Sequence, residues 1–350
     1  MKRGKWNAIT DVPGVAVGHV TLKEESGVES ACTGVTAILP HEGNSFEQKV
    51  PAASFILNGF GKSAGLLQVE ELGVIESPIM LTNTFSVGAV LEGTLRHMLD
   101  ENTAIGDSTS SLNIVVGECN DSYLNAMRSL KVRPEHAVEA IRNARSGEFE
   151  QGDVGAGKGM ICFGRKGGIG SSSRIVPHSE KSFTVGVLTL TNFGDAEECL
   201  IDEWLARNGM QLQTAKDKLK PSKEMQSEKP DGSVMIIVAT DAPVDSRQLK
   251  RLAKRAAIGL GRTGSHIHNG SGDIIIAFSN AHTIPHASES GDTVSYTLLR
   301  DDTKIMNELF KAVIEATEEA VFQSLMHAQT TTGRLGRTVE RWPLVEKNVL

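Results

Sequence analysis

The sequence is poor in cysteine and has no long apolar run. Its four cysteines, Cys32, Cys119, Cys162 and Cys199, are spread over 350 residues. They lack the paired spacing of a zinc ribbon or a small disulfide scaffold, so we expect reduced, mostly buried thiols. No stretch approaches the ~20 consecutive apolar residues that span a bilayer. The sequence therefore gives no reason to expect a membrane protein.

Charge of one sign is not concentrated anywhere along the chain. The 36 Lys and Arg residues and the 43 Asp and Glu residues are interspersed and give a formal charge of -7. Without a basic stripe to neutralise phosphates, no nucleic-acid partner is expected. The basic start of the chain is followed by polar residues 10–14, where a secretory signal would have its apolar core. We therefore expect a soluble, cytoplasmic protein.

Short β-branched runs alternate with helical patterns through most of the chain. The clearest helix follows Asp245, a good N-cap, and presents one apolar face from Leu249 to Leu260 before Gly261 ends it. This alternation predicts an α/β fold in which helices pack on sheets, as one large multilayer domain or two fused lobes. The predicted strands cover 54–57, 112–116, 183–190, 234–238 and 274–278, and the other predicted helices cover 62–72, 86–99, 134–145 and 304–327.

A segment of different composition separates two parts of this pattern. Residues 208–231 contain two prolines, many Lys and Glu and few apolar residues, which predicts an exposed linker. The linker ends at Gly232-Ser233, and the apolar strand VMIIVAT follows at once. Two interpretations are open: an ordinary surface loop before a strand, or a strained junction at which the chain is cut.

A cut between Gly232 and Ser233 would create a reactive group. A serine hydroxyl is a poor nucleophile unless a base takes its proton. The α-amino group of a new N-terminal Ser233, with a pKa of ~7.7–8.0, is able to act as that base without a histidine. Gly232 permits the backbone angles that bring the hydroxyl onto the preceding carbonyl. A Gly-Ser dipeptide is common, however, and does not by itself identify such a site.

Other polar residues stand at the ends of predicted buried strands. Ser271 and Asp273 lie in NGSGD, which is either a tight turn or a hydroxyl and carboxylate pair at the mouth of a strand. Glu118 follows NIVVG, where it could hold a substrate ammonium or form a salt bridge. Asn192 in TLTNFGD could donate to an oxyanion or serve only in a turn.

Two further patterns do not complete a site. The loop from Gly152 to Lys158 matches most of a phosphate-binding loop, but Gly159 replaces the Ser or Thr that binds magnesium. The spacings His266-x-His268 and His282-x-x-x-His286 occur in metal sites, but no HExxH motif or clear carboxylate partner accompanies them. We predict solvated or structural histidines, no metal and no organic cofactor.

Taken together, several long phrases resemble the L-aminopeptidase/D-Ala-esterase/amidase family, which includes the β-peptidyl aminopeptidases. The resemblance covers nearly the whole chain and keeps the family's order of motifs. The phrases are ITDVPGVAVGHVTL at 9–22, GVTAILP at 34–40, the segment 58–84, GDVGAGKGM at 152–160, KGGIGSSSR at 166–174, GSVMIIVATDAP at 232–243 and GSHIHNGSGDIIIAFS at 264–279.

The resemblance implies a fold and a maturation step. The fold is an αββα sandwich like that of the N-terminal nucleophile hydrolases, with different strand connectivity. A single multilayer domain of residues 1–350 would cleave itself after Gly232 into chains 1–232 and 233–350. Relatives also suggest a homo-oligomer, a tetramer.

The resemblance also assigns roles to the residues named above. Ser233 would attack the first bond of a small peptide, amide or ester that has a free amine, giving an acyl-enzyme that water hydrolyses. Ser271 and Asp273 look like the supporting pair, Glu118 like the acid that binds the substrate ammonium, and Asn192 like the oxyanion donor.

Asn120 departs from the family, in which a Tyr often stands two residues after that Glu. The change removes a phenol donor from the substrate-binding region or alters the shape of the pocket. Two alternatives remain beside the aminopeptidase hypothesis: an acyltransferase of the same fold, which is expected to carry Thr where this chain has Ser233, and a non-catalytic binding protein. The residues do not separate L-α-, D- and β-amino acid substrates.

Overall fold

The fold is described by a computed structural model of the chain. It describes residues 1–24, 27–109, 111–179, 181–215, 232–287 and 293–346. Most of the predicted linker, residues 216–231, lies outside the described residues.

The described residues form many strands and a smaller set of helices. The strands are β1 Ala16–Glu24, β2 Ala31–Leu39, β3 Gln48–Gly59, β4 Val74–Ile75, β5 Ile79–Asn83, β6 Val115–Cys119, β7 Ile161–Cys162, β8 Arg165–Lys166, β9 Ile169–His178, β10 Lys181–Asn192, β11 Leu212–Thr214, β12 Ser233–Thr240, β13 Gly272–Ser279, β14 Ile284–Pro285, β15 Thr331–Thr332, β16 Thr338–Val339 and β17 Leu344–Glu346. The α-helices are α1 Leu66–Leu72, α2 Val87–Glu101, α3 Pro134–Arg142, α4 Ile201–Arg207, α5 Ser246–Gly261 and α6 Lys304–His327.

Two mixed sheets lie at the centre of the fold. The smaller has the order β1-β2-β5-β6, in which only β5 and β6 are parallel. The larger has the order β14-β3-β13-β12-β10-β9, with β4 also paired to β3. Within it β12 and β13 are parallel, whereas β12 and β10 are antiparallel. Predicted site residues lie on one or both strands of each parallel pair and at the end of β10, which carries Asn192.

The side chains of β12 show how the layers are built. Val234, Ile236 and Val238 pack in the apolar cluster that includes α5 and α6. Met235 and Ile237, which alternate with them, pack in the cluster between the two sheets. Both faces of the strand are buried, which explains its continuous apolar sequence. Helices α2 and α3 cover the outer face of the smaller sheet. The predicted α/β fold and αββα sandwich are therefore confirmed.

Helix α5 forms as its sequence predicts. The Asp245 side chain accepts a hydrogen bond from the Gln248 N–H at 2.7 Å, and the Gln248 side chain accepts one from the Asp245 N–H at 3.1 Å. This reciprocal capping box fixes the start of the helix. Leu249, Leu252 and Leu260 are completely buried on the face toward the sheet.

Two predicted boundaries are wrong because of tertiary contacts. Helix α1 begins at Leu66 and not at 62, since the Lys62 N–H donates to Glu118 Oε1 at 2.8 Å and Gly65 has a left-handed φ of 83°. Strand β6 begins at Val115 and not at 112, since the Asn113 N–H donates to Glu76 Oε1 at 2.8 Å. In both cases a backbone N–H near the predicted start of the element donates to a carboxylate that is distant in sequence. That N–H is therefore not part of the regular hydrogen-bond pattern of the helix or strand.

The start of the predicted exposed linker is ordered. Within the segment 208–231, Leu212–Thr214 forms strand β11, which pairs with β17. Thr214 is buried, its N–H donates to Asp202 Oδ1 at 2.7 Å, and its hydroxyl accepts from Trp342 Nε1 at 3.0 Å. Composition alone did not predict this strand, because the strand forms by pairing with β17, which lies far away in the sequence.

Helix α6 packs against β9 and β10, and the helix backbone lies unusually close to the backbone of β9. Arg174 of β9 reaches Glu319 of α6, with Nη2 and Oε2 2.7 Å apart. Gly170 of β9 permits the close approach, because a Cβ there would lie 1.9 Å from the Ala320 carbonyl oxygen. None of the helices in the described ranges is both long and apolar enough to cross a membrane.

Replacing Gly170 by Ala should therefore push β9 and α6 apart. We expect Gly170→Ala to lower the free energy of unfolding by about 1–3 kcal/mol, as overpacking does. Gly261→Ala is the matched control, since a Cβ at that position meets no atom of the described residues within 4 Å. It should cause no loss and at most a gain of about 0.5–1 kcal/mol. Urea unfolding midpoints measure both, and equal midpoints for the two variants would contradict the close packing of α6 on β9.

Candidate active site

The candidate site lies at the start of β12, where the two sheets meet. Ser233 pairs in register with Asn192 at the end of β10 and with Gly272 at the start of β13. From the other sheet, the end of β6 brings Glu118 and the following Asn120 to the same place. The ends of three strands, β6, β10 and β13, thus lie next to the serine that begins β12.

Ser233 is 4% exposed, and two donors contact its hydroxyl. The backbone N–H of Asn120 donates to Ser233 Oγ at 3.2 Å. The side-chain Nδ2 of Asn192 lies 3.5 Å from the same oxygen. Asn192 Oδ1 accepts from the Ile161 N–H at 3.0 Å, which orients the amide so that its NH2 group faces Ser233. One donor is a backbone N–H and the other is oriented by a backbone N–H, so both are preorganised.

Ser271 and Asp273 form a hydrogen-bonded pair next to Gly232, the residue that precedes this serine. Ser271 Oγ donates to Asp273 Oδ1 at 2.8 Å, and both side chains are buried. Burial raises the pKa of Asp273 to about 6, although the Ser271 hydrogen bond and the charge of His268 oppose the shift. Asp273 Oδ2 has no hydrogen-bond partner within the described ranges. The carboxyl therefore changes its charge near pH 6.

The Gly232–Ser233 peptide bond lies directly against this pair. A Cβ placed on Gly232 would lie 3.2 Å from Ser271 Oγ, so a larger residue would crowd the hydroxyl. The Gly232 carbonyl oxygen accepts a hydrogen bond from the Gly272 N–H at 3.1 Å. The carbonyl that precedes Ser233 is thus polarised by a fixed backbone donor.

Glu118 is a buried carboxylate whose partners sequence reasoning missed. Its Oε1 accepts from the Lys62 N–H at 2.8 Å, and its Oε2 accepts a short hydrogen bond from the Thr84 hydroxyl. Thr84 directly follows β5, the parallel neighbour of β6, so the shared edge of two parallel strands was the signal that could have found it. A carboxylate has about four acceptor sites, so capacity remains for a ligand cation.

Asn120 contacts the serine through its backbone and not through its side chain. Its Oδ1 accepts from the Ser122 N–H at 2.9 Å, which is an Asx turn. The N–H that reaches Ser233 is one that almost any residue would supply. The expectation that the Asn120 side chain belongs to the substrate-binding region stays a prediction.

Cys119 is next to the site, but its thiol is poorly suited to act as a nucleophile. Burial raises the pKa of its thiol well above the ordinary value, with the charge of Glu118 acting in the same direction. Because the thiolate is the reactive form, this thiol stays inert at neutral pH.

The glycine-rich loop at 152–159 supports the site and does not resemble a nucleotide cradle. Lys158 pairs with Asp153 at 2.6 Å within the loop. The buried Lys166 ammonium donates to the carbonyls of Gly157, Met160 and Gly167 at 2.7–3.0 Å. These bonds fix the segment before Ile161, the residue that orients Asn192.

The histidine pairs lie in different surroundings. His266 and His268 both contact Glu198, which the sequence did not connect to them. His282 lies against Tyr296, and His286 lies against Phe46. Within the described ranges, Glu198, His266 and His268 are the residues whose ligand atoms lie close enough together to hold a metal ion.

Comparison with known proteins shows that the chain as a whole is similar to a group of peptidases. The model of peptidase family S58 matches residues 7–339. A β-peptidyl aminopeptidase of Sphingosinicella microcystinivorans is 40% identical over 360 aligned positions, which cover 99% of this chain and 87% of that protein.

Two solved structures are similar over nearly the full chain. A protein of Pyrococcus horikoshii OT3 has a TM-score of 0.87 at 48% identity, covering 98% of this chain and 93% of the other. The L-aminopeptidase D-Ala-esterase/amidase of Ochrobactrum anthropi has a TM-score of 0.81 at 32% identity, covering 99% and 92%. The latter is described as a prototype for the serine aminopeptidases and a new variant of the Ntn hydrolase fold.

The raised pKa of Asp273 predicts a specific pH dependence of stability. Its pKa is 3.8 ordinarily and about 6 in the folded chain, so between these values the folded state binds the proton more tightly than the unfolded state does. Stability is therefore expected to fall as pH rises from about 4 to about 6 and to be unaffected by this group above that range. Asp273→Asn should remove this part of the decline.

Unfolding midpoints between pH 4 and pH 8 measure the effect. Both proteins should carry Ser233→Ala, so that any self-cleavage does not differ between them. Asp121, whose pKa burial raises to about 7, contributes equally to both curves. Parallel curves for the two proteins would show that Asp273 is not protonated preferentially in the fold.

Proposed function

Because the chain belongs to peptidase family S58, we propose that it is a self-processing serine aminopeptidase whose nucleophile is Ser233. The resemblance seen in the sequence is confirmed by the family match and by the aminopeptidase relatives. The observation that carries the finer proposal is the convergence on Ser233 Oγ. The Asn120 N–H and the Asn192 amide face that oxygen, and the Ser271–Asp273 pair lies next to Gly232, the preceding residue.

The proposed maturation step uses the contacts of the Gly232 carbonyl. Ser233 Oγ attacks the Gly232 carbonyl carbon, the C–N bond breaks, and an ester joins the two parts. Water then hydrolyses the ester, leaving a Gly232 carboxylate and a free Ser233 amine. The Gly272 N–H stabilises the negative charge that develops on the carbonyl oxygen. The products are chains 1–232 and 233–350.

Hydrolysis of a substrate repeats this chemistry with the new amine as the base. The α-amino group of Ser233 takes the hydroxyl proton and passes it to the leaving amine, while Oγ forms an acyl-enzyme. The oxygen of the attacked carbonyl comes next to Oγ, within reach of Asn192 Nδ2. Water then releases the acid. No metal or organic cofactor enters these steps.

Glu118 supplies the selection for a free N-terminal amine. Its carboxylate is buried, and two fixed donors orient it. A substrate ammonium that binds to it would form a charge-assisted hydrogen bond in a region shielded from water. Small peptides, amides and esters with a free amine are the proposed substrate class.

We also propose the form that the protein takes after processing. We expect the two processed chains to stay together in one multilayer domain, because β12 begins at the cut and remains paired on both sides. A cytoplasmic homo-oligomer, a tetramer by resemblance, is the expected form. Size-exclusion chromatography with light scattering tests the oligomer.

Ser233→Ala should abolish both self-cleavage and hydrolysis, since it removes the attacking oxygen. Intact mass under denaturing conditions, with N-terminal sequencing, should give two fragments from the wild type, the smaller beginning Ser233-Val234-Met235. The variant should give one chain of 350 residues. Ser182→Ala, at the exposed far end of β10, is the matched control and should process normally. Cleavage of the Ser233→Ala chain at the same bond would exclude Ser233 as the nucleophile.

Glu118→Gln should weaken the binding of substrates with a free amine. The amide keeps the shape of the side chain but loses the charge, and a hydrogen bond to a charged group contributes about 1.5–3 kcal/mol. KM for an aminoacyl anilide should therefore rise about 10- to 100-fold, while self-cleavage continues. Glu92→Gln, on the exposed face of α2, is the control and should leave KM unchanged. An equal loss on N-acetylated and free-amine substrates would contradict this role.

A further inference from the structure

Two loops that carry candidate catalytic residues meet beside the site. The first follows Asn192 at the end of β10 and contains Glu198. The second precedes Ser271 and contains His266 and His268. The Leu200 N–H donates to the Thr263 carbonyl at 3.0 Å, which joins the loops near these side chains.

Both histidine side chains converge on one carboxylate oxygen of Glu198. Glu198 Oε1 lies 3.2 Å from His266 Nδ1 and 3.1 Å from His268 Nε2. One ligand atom from each residue lies within 4.8 Å of the other two. In a tetrahedral site with zinc bonds of about 2.0–2.2 Å, neighbouring ligand atoms are about 3.3–3.6 Å apart. The side chains therefore need only small rotations to surround an ion.

The surroundings hold this group in place. Glu198 Oε2 accepts from the Asp195 N–H at 3.1 Å, the kind of outer hydrogen bond that orients a ligating carboxylate. Gly264 has a φ of 99°, and a Cβ there would lie 1.7 Å from the Glu198 carbonyl oxygen. Between the histidines, Ile267 has a φ of 55°, a costly conformation for a β-branched residue. Such strain persists only where surrounding contacts enforce it.

We propose that Glu198, His266 and His268 bind one divalent transition-metal ion of the zinc type. Two imidazole nitrogens and one carboxylate oxygen suit Zn²⁺ or Co²⁺, whereas Ca²⁺ and Mg²⁺ prefer ligand sets made of oxygen. Three protein ligands leave a fourth position for water or an external ligand. The histidines are half to largely exposed, so the ion has a path from solvent.

The bound ion links the two loops. His268 is already tied to the candidate site, because its carbonyl oxygen accepts from the Ser271 N–H at 2.9 Å. An ion at this position therefore fixes the distance between the loop after Asn192 and the loop before Ser271. The inference goes beyond the proposed function and does not require Ser233 to be the nucleophile.

The first test is a titration of the chelator-treated full protein with Co²⁺, followed by visible absorption, and with Zn²⁺, followed by calorimetry. We expect one ion per chain and a four-coordinate Co²⁺ spectrum. Glu198→Gln and His268→Ala should each raise Kd at least 10-fold, and His282→Ala, in the other histidine pair, should not. Wild-type affinity in both ligand variants would overturn the proposal.

Two further titrations identify the site and the chemistry. Ser233→Ala should bind Zn²⁺ with the wild-type Kd, and loss of binding in that variant would place the ion at the nucleophile and overturn the proposal. Mg²⁺ and Ca²⁺ should give no saturable binding, and affinity equal to that for Zn²⁺ would show a general cation site instead. Because these titrations measure binding, their result is independent of whether the chain hydrolyses peptides.

Discussion

The register of β12 is the constraint on which the candidate site depends. Ser233 reaches Asn192 and Gly272 only because β12 pairs with β10 and β13 in one alignment. A slip by one residue would move every side chain of the strand to the opposite face and bring Val234 to the position of the serine. The same slip would exchange the residues buried under the helices with those between the sheets. Two apolar cores therefore enforce the position of one hydroxyl.

Two buried carboxyl groups of the candidate site differ in their hydrogen bonding. Glu118 has hydrogen-bond donors on both oxygens, from Lys62 and Thr84. Asp273 has only the Ser271 hydroxyl within the described part of the chain, and its pKa is raised to about 6. Fixed donors that orient both oxygens suit the proposed binding of a cation by Glu118, whereas sparse bonding suits a group such as Asp273 that exchanges a proton. The environments, more than the residue types, separate the two proposed roles.

Local features could be predicted from the sequence, and long-range partners could not. The capping box and apolar face of α5 are contained within a single segment, so its pattern sufficed. The start of α1 depends on Glu118, 56 residues after Lys62, and no local pattern contains that contact. The site residues were named through the family phrases, but their supports are largely backbone N–H groups such as those of Ile161 and Gly272. A backbone N–H does not depend on the side chain, so these donors cannot be recognised from the residue type. The contact between Glu198 and His268 could not be predicted either, because the two residues are 70 positions apart in the sequence.

Backbone donors also explain why the side chain at position 120 has little bearing on the contact with Ser233. The contact with Ser233 is made by the Asn120 N–H, which a Tyr would supply equally well. The side chain is turned away into hydrogen bonding with Ser122. An Asn at this position therefore keeps the donor to the serine, and it places less bulk there than a Tyr would and no phenol hydroxyl. The choice of side chain therefore bears on the space next to Ser233, while the backbone fold keeps the donor to its hydroxyl in place.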